Sequence, residues 1–285
     1  MRRGALVLCG GRSRRMGRDK AWLPFGGERL LQRVVARVAA CCDEVVVVAR
    51  PGQELPPLPA DVRVAHDELP DQGPLGGLVP GLRALAACDA CFATSCDAPF
   101  VSAAVIDLLF ARVTDHDVAV AESGGFTHPL SAVYRPHVVP ALERLLAAGR
   151  LRPVFLYDEV ATARVDEHAL RAVDPELDAL RNVNTPEAYE DALARAFPEL
   201  SVELYDIARA RAGRAVVPVR ADTLRGALLQ LARLCPALAP DVVTADGALA
   251  AHWRASVGGA SFVDAPDTPL AGDAPLIVIS ALAGG

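Results

Sequence analysis

Lysine is almost missing from this 285-residue chain: its 29 basic residues are arginines except for one lysine, Lys20. Asparagine occurs only at Asn182 and Asn184. The alanine- and arginine-heavy usage resembles a coding bias towards GC-rich codons, and against it a residue the chain otherwise avoids points to chemistry. Lysine and arginine are not equivalent, since lysine is a compact point charge suited to phosphate and arginine a planar fork. Uninterrupted apolar runs of 18 residues are also absent, which excludes a membrane-spanning helix by length. No apolar segment with a small-residue cleavage site opens the chain, so secretion is not expected and a cytoplasmic location is. A basic excess is lacking too. The net charge of −6 argues against a general nucleic-acid binder. The seven cysteines (Cys9, Cys41, Cys42, Cys88, Cys91, Cys96, Cys235) have no framework spacing and read as reduced thiols. Cys88 and Cys91 form one C-x-x-C without a second pair at zinc-ribbon spacing, and read as small packed hydrophobes.

What is present suffices for two domains. At about 150 residues per domain, 285 residues make roughly two, and 52% hydrophobic residues can fill more than one core. The first two thirds alternates strand and helix. ALVLC at 5–9 and EVVVVA at 44–49 read as buried parallel strands. Leu30, Leu31, Val34, Val35, Val38 and Ala39 have helical spacing. Further strands are expected at 62–65, 91–95 and 117–122. Helices are expected at 75–87 and from Ser102, as N-cap, to 113. Repeated βα units of this kind predict a doubly wound, mostly parallel, Rossmann-like α/β sheet with ligands at the carboxyl ends of its strands. The helix after Pro186 ends near 197, where the character changes. Strands at 202–205 and 216–219 joined by a short segment, a helix at 223–234, a strand pair in 253–263 and a last strand at 276–280 describe a small α+β module. The expected domains are 1–198 and 199–285.

The loop after the first strand reads LCGGRSRRMGRDK from Leu8 to Lys20. Its glycines leave backbone N–H groups free to approach an anion, and its arginines and Lys20 add positive potential. It matches neither G-x-x-x-x-G-K-[ST] nor G-x-G-x-x-G. Asp97 stands at the end of a strand, where carboxylates commonly serve catalysis in α/β enzymes. Thr185-Pro186 is a helix start, with Thr185 as N-cap, which leaves Asn182 and Asn184 unexplained.

These stretches resemble the molybdenum cofactor guanylyltransferases and their nucleotidyltransferase relatives. Gly10, Gly11, Ser13, Arg15, Met16, Gly17, Asp19 and Lys20 fit the family's L-x-G-G-x-S-x-R-M-G-x-D-K, with Cys9 in place of the usual alanine. His66-Asp67 followed by Gly73-Pro74-Leu75-Gly76-Gly77 is similar to its D-x(n)-G-P-L-x-G segment, Cys96-Asp97-Ala98-Pro99 to its C-D-x-P, and Asn182–Pro186 to its N-x-N-T-P. The likeness covers roughly residues 4–197. It implies a nucleotide site of Leu8, Cys9, Gly10, Gly11, Lys20, Asp67, Gly73, Pro74, Leu75, Gly77 and Asp97. It also implies Lys20, Arg15 and Asp97 as catalytic residues, Mg²⁺ on Asp97, and pterin contacts from Asn182, Asn184 and His128 of the His128-Pro129 segment. The implied reaction joins GTP to molybdopterin or its molybdenum form and releases diphosphate. One departure bears on the base: Val48 stands where family members often carry asparagine, so partners for guanine fall to the Gly73–Gly77 backbone, or the base is cytosine.

The C-terminal module resembles the small subunit of molybdopterin synthase, a ubiquitin-like (β-grasp) sulfur carrier. Leu270-Ala271-Gly272-Asp273 and the closing Ala283-Gly284-Gly285 bear that likeness, while Val257-Gly258-Gly259 departs from the relatives' V-N-G. The resemblance implies a thiocarboxylate on Gly285, with an activating enzyme and the synthase large subunit as partners. Two alternatives remain open: a cytidylyltransferase for a related phosphorylated acceptor, and a sulfur carrier or protein modifier whose N-terminal part only binds nucleotide.

Overall fold

The computed structural model describes residues 1–10, 19–67 and 72–281. Two compact units make up the chain, Met1–Trp22 with Leu30–Asn184, and Leu23–Arg29 with Thr185–Gly285.

In the first unit, strands β1 (Arg3–Leu8), β2 (Glu44–Ala49), β3 (Arg63–His66), β4 (Ala90–Ser95), β5 (Val118–Ser123), β6 (Phe126–Tyr134) and β7 (Thr162–Val165) form one sheet in the order β3-β2-β1-β4-β6-β5-β7. The β1/β2, β1/β4, β2/β3 and β5/β7 pairs are parallel, and β6 runs antiparallel to both neighbours. Parallel dominance is therefore as expected, with one reversed strand. The helices of eight or more residues are α1 (Leu30–Ala39), α2 (Gly73–Ala84), α3 (Ala103–Arg112) and α4 (Val139–Ala147), with shorter helical turns at Val154–Tyr157 and Glu167–Arg171. Successive strand residues feed opposite faces. Ala5, Val7, Val45 and Val47 join one core with α1 and α3, while Leu6, Val46 and Val48 join the other with α2 and α4. That alternation explains why these strands read as continuous apolar runs, since both faces are covered.

Several expected boundaries move. The helix expected at 75–87 starts at Gly73 and ends at Ala84, with Pro80 inside it. The third strand, expected at 62–65, runs Arg63–His66 and is a largely exposed edge. Ser102 does cap α3, its side chain accepting from Val105 N. Nothing in the sequence reading anticipates β6, α4 or β7. Pro129 falls where the β5/β6 register jumps from Ala121↔His128 to Val120↔Ala132, an irregularity of the kind that accommodates proline in a sheet.

Close approach of α2 to β1 requires glycine at two positions. A Cβ on Gly81 would lie 2.7 Å from Leu6 Cδ1 and 3.0 Å from Val48 Cγ2, and one on Gly77 would lie 2.8 Å from Leu8 Cδ2. In a helix alanine gains about 1 kcal/mol over glycine, but forcing a methyl into a packed core costs about 1–3 kcal/mol. Leu6 is fully buried in a central strand and cannot yield. Gly81→Ala should therefore lower the urea midpoint of the full chain with the slope unchanged. A raised midpoint would contradict this packing.

The second unit holds β8 (Glu199–Leu204), β9 (Val216–Arg220), β10 (Trp253–Val257), β11 (Ser261–Val263) and β12 (Leu276–Ser280), ordered β9-β8-β12-β10-β11. The last strand lies between the first and third, parallel to β8 and antiparallel to β10. Helix α5 (Pro186–Ala196) precedes these strands. The segment between β8 and β9, expected to be a short connection, is a helix, α6 (Asp206–Ala212), ended by Gly213 at φ +69°. Helix α7 (Leu224–Leu234) buries Leu224, Ala227, Leu228 and Leu231 in this unit's core. The 198/199 boundary and this division differ over α5 and the hairpin Pro24–Phe25/Glu28–Arg29. Both belong to the second unit, where Tyr189 OH donates to Pro24 O, Gln230 Nε2 bonds Pro24 O (3.1 Å) and Tyr189 OH (2.9 Å), and Phe25 meets Phe197 edge-on. All seven cysteines are free thiols. Among the described residues, no helix is long and apolar enough to cross a membrane.

Candidate active site

The chain leaves β1 towards β2 on one side and reaches β4 on the other, which makes the carboxyl ends of β1 and β4 a topological switch point. Leu8 and Ser95 are register partners there. Beyond them the backbones stay tied, through Cys96 N to Leu8 O (2.9 Å) and Cys9 N to Val48 O (2.8 Å). A cleft of about 750 Å³ opens at this edge, lined by Leu8, Cys9, Gly10, Lys20, Val48, Asp67, Gln72, Gly73, Pro74, Gly77, Ser95, Cys96, Asp97, Leu130, Asn182 and Asn184. That volume suits a nucleotide-sized ligand.

Lys20 stands at the centre of the polar groups. Its Nζ donates to Asp97 Oδ2 at 2.6 Å and to Asn184 Oδ1 at 2.7 Å. The two side chains of the ion pair are 14% and 11% exposed. Ser95 Oγ donates to the other oxygen of Asp97, and the Asp97 carbonyl accepts from Val183 N at 2.8 Å. Thus the lone lysine, the strand-end aspartate and one of the two asparagines, 164 residues apart at the extremes, meet in one cluster. An ammonium has three donors, so the two bonds leave one N–H for a phosphate oxygen. Asp19 orients this segment: its carboxylate accepts from Ala21 N (3.0 Å) and from Gln53 Nε2 (2.8 Å), and Gln53 Nε2 also reaches Cys9 O (3.2 Å).

The second motif lies on the same cleft. A Cβ on Gly10 would be 3.9 Å from Asp67 Oδ2, and one on Gly76 would be 3.2 Å from both Asp67 Oδ1 and Gln72 Cβ. The Gly-Pro start of α2 thereby brings Asp67 and Gln72 beside the end of β1. Leu75, expected at the nucleotide, is fully buried in the core beneath α2 and does not line the cleft. His128 does not line it either. It is half-buried on β6 with Nε2 2.9 Å from Ser123 Oγ, and burial holds its pKa below the usual value. Asn182 is at the exposed margin of the cleft. Gly11, Arg15 and Gly285 fall outside the described residues.

Cys96 of the cleft is not poised to act as a nucleophile. A hydrogen bond with Cys9, together with burial, pushes the Cys96 thiol well above its ordinary pKa. Among the described residues no three His, Cys, Asp or Glu side chains gather as a metal cage. Asp97, one of two carboxylates lining the cleft with Asp67, would suit a hard divalent cation whose other ligands are phosphate oxygens and water. Ser95, Gln53 and Gln72 escape sequence reasoning. Only the position of Ser95, two residues before Asp97 at a strand end, offers a signal.

Parallel-dominated order, a switch-point cleft and one lysine–aspartate pair facing it are the features of an α/β nucleotidyltransferase. A family model described as "MobA-like NTP transferase domain" matches residues 5–164. The chain is 40% identical over 201 residues to a probable molybdenum cofactor guanylyltransferase of Mycobacterium avium, covering 69% of this chain and 97% of that one. It is 36% identical over 191 residues to the molybdenum cofactor guanylyltransferase of Desulfosudis oleivorans, covering 66% and 93%. Among solved structures, molybdopterin-guanine dinucleotide biosynthesis protein A from Archaeoglobus fulgidus aligns with a TM-score of 0.56 at 23% identity, over 66% of this chain and 96% of that one. A cytidylyltransferase, that of 2-C-methyl-D-erythritol 4-phosphate from Thermus thermophilus, shares the fold too (TM-score 0.52, 19% identity, 69% and 99% covered). The chain belongs to the MobA-like NTP transferase family.

Proposed function

We propose that the first unit transfers GMP from GTP to molybdenum-bound molybdopterin, giving the guanine dinucleotide cofactor and diphosphate. The Lys20–Asp97–Asn184 cluster is the observation that carries this reading, together with relatives of that name. In the reaction an oxygen of the pterin's terminal phosphate attacks the α-phosphorus of GTP, and the bond from that phosphorus to the bridging oxygen of diphosphate breaks. The attacking phosphate is already ionised at neutral pH, so no strong base is needed and catalysis is mainly alignment and charge stabilisation. The free donor of Lys20 faces the phosphates, and the Gly10 amide belongs to the same end of the cleft. Asp97 would hold Mg²⁺, which when bound offsets phosphate charge. Asn184, fixed by Lys20, and Asn182 at the margin would meet the pterin side. Leu8, Cys9, Gly73, Pro74 and Gly77 would wall the nucleotide, with Asp67 on the ribose or base.

Diphosphate release by the full chain with Mg²⁺ and molybdopterin, comparing GTP with CTP, tests the proposal. Release with GTP and acceptor together is expected. Release only with CTP would transfer the reading to a cytidylyltransferase, which Val48 in the cleft favours because its side chain offers a base no hydrogen bond.

For the second unit we propose a β-grasp sulfur carrier. Support comes from its strand order, with the last strand running between the first and third, from helix α7 sharing the core of that sheet, and from the Gly284-Gly285 sequence after that strand. Adenylation of the Gly285 carboxylate by an activating enzyme, then displacement of AMP by a sulfide equivalent, would give a thiocarboxylate for use with a synthase large subunit. On a chain ending at Gly285, intact mass after incubation with such an enzyme, ATP and a sulfur donor should rise by about 16 Da, one oxygen exchanged for sulfur. No rise would remove the carrier role.

A further inference from the structure

Gln72 is the N-cap residue of α2, yet its side chain makes no capping bond. Its Oε1 is buried and has no hydrogen-bond partner among the described residues. The residue lines the cleft. Glutamine is not among the favoured capping residues, and a buried carbonyl without a donor is a standing cost to the fold. Both facts find one explanation if the missing donor arrives with the ligand.

The other polar side chains of the cleft narrow which part of the ligand that is. Lys20, Asp97, Ser95 and Asn184 are bonded to one another at the ends of β1 and β4. Gln72 stands apart from them, against Asp67 across Gly76. Val48, at the end of β2, lines the same cleft and supplies no polar group. Guanine presents N–H donors, N1–H and the 2-amino group, along the edge that distinguishes it. We propose that the Gln72 side-chain carbonyl accepts one of these donors and is the specificity-determining group for guanine, in place of a polar residue at position 48.

This inference rests on the guanylyltransferase reading, and one titration separates the two. Affinities for GTP and CTP with Mg²⁺ are measured calorimetrically on the full chain, on Gln72→Leu and on Gln72→Met. The methionine variant keeps the length of the side chain and loses its acceptor. Because Gln72 Oε1 makes no bond to the fold and its unpaired carbonyl is removed, both variants should melt at or above the wild-type temperature. A site that discriminates through a hydrogen bond to its ligand loses affinity for that ligand, and with it the discrimination, once the acceptor is gone. GTP affinity should fall about tenfold or more in both variants, with CTP affinity changed less than about twofold. Unchanged GTP affinity, or equal loss for the two nucleotides, overturns the role of Gln72 and leaves the functional reading standing. A wild-type preference for CTP overturns the guanine reading, and this inference with it.

Discussion

Replacing Lys20 by alanine is expected to lower kcat on the order of 10²–10³-fold while the chain stays folded. The local fold does not depend on the ammonium. Ala21, the buried residue of the turn Lys20–Trp22, and the Asp19 bond to its amide remain. What is lost is a single nitrogen that serves Asp97 Oδ2 and Asn184 Oδ1 together and keeps a third donor for phosphate. Asp97, 11% exposed, would retain Ser95 but lose its counter-charge, costing about 1–3 kcal/mol and several degrees of melting temperature. Single-turnover kinetics with saturating GTP and molybdopterin, alongside melting curves, separate chemistry from folding. Lys20→Arg is the sharper variant. Two acceptors converge at 2.6 and 2.7 Å on one point, and a guanidinium spreads its donors over a plane. Arginine should therefore restore little of the rate. In a chain with one lysine among 29 basic residues, full activity of Lys20→Arg would remove the reason for reading that lysine as functional.

The rarity of Lys20 and Asn184 makes part of the candidate site legible ahead of any geometry, because their identities stand out from the composition around them. Asp97 was legible from its place at a strand end. The parallel half of the sheet is equally plain: Ala5–Val7 and Val45–Val48 are apolar on both faces because helices cover both. The secondary structure from 123 to 180 is opaque for a physical reason. The first half of β6 is only partly buried and contains Pro129 at a register jump, so it lacks both alternation and a continuous apolar run. Gln72 was invisible for another reason. Before a Gly-Pro turn a glutamine reads as loop, and only the tertiary structure shows an acceptor without a donor. Gln53 gains its meaning from Asp19, 34 residues away, a pairing no local pattern encodes.

Asp97→Asn is expected to lower turnover on the order of 10²–10³-fold, and its comparison with Ser95→Ala separates charge from orientation. Two donors address the two carboxylate oxygens, Ser95 Oγ on one and Lys20 Nζ on the other. An amide of the same shape has only one acceptor oxygen. The serine hydroxyl can reverse and accept from the new NH₂, whereas an ammonium cannot accept. The amide oxygen should therefore turn to Lys20, and the backbone tie from Val183 N to the Asp97 carbonyl is untouched. The fold should hold, with a loss of about 1–3 kcal/mol for a lysine left without its counter-charge. Ser95→Ala keeps the negative charge and removes only the bond that fixes the carboxylate plane, so a loss of about tenfold is expected, in proportion to a misplaced group. If Asp97 serves as the protein's ligand to a divalent cation, the Mg²⁺ concentration for half-maximal rate should rise steeply in Asp97→Asn and little in Ser95→Ala. Equal Mg²⁺ requirements in Asp97→Asn and the wild type would confine Asp97 to holding Lys20, and the cation would have to be held by the nucleotide alone.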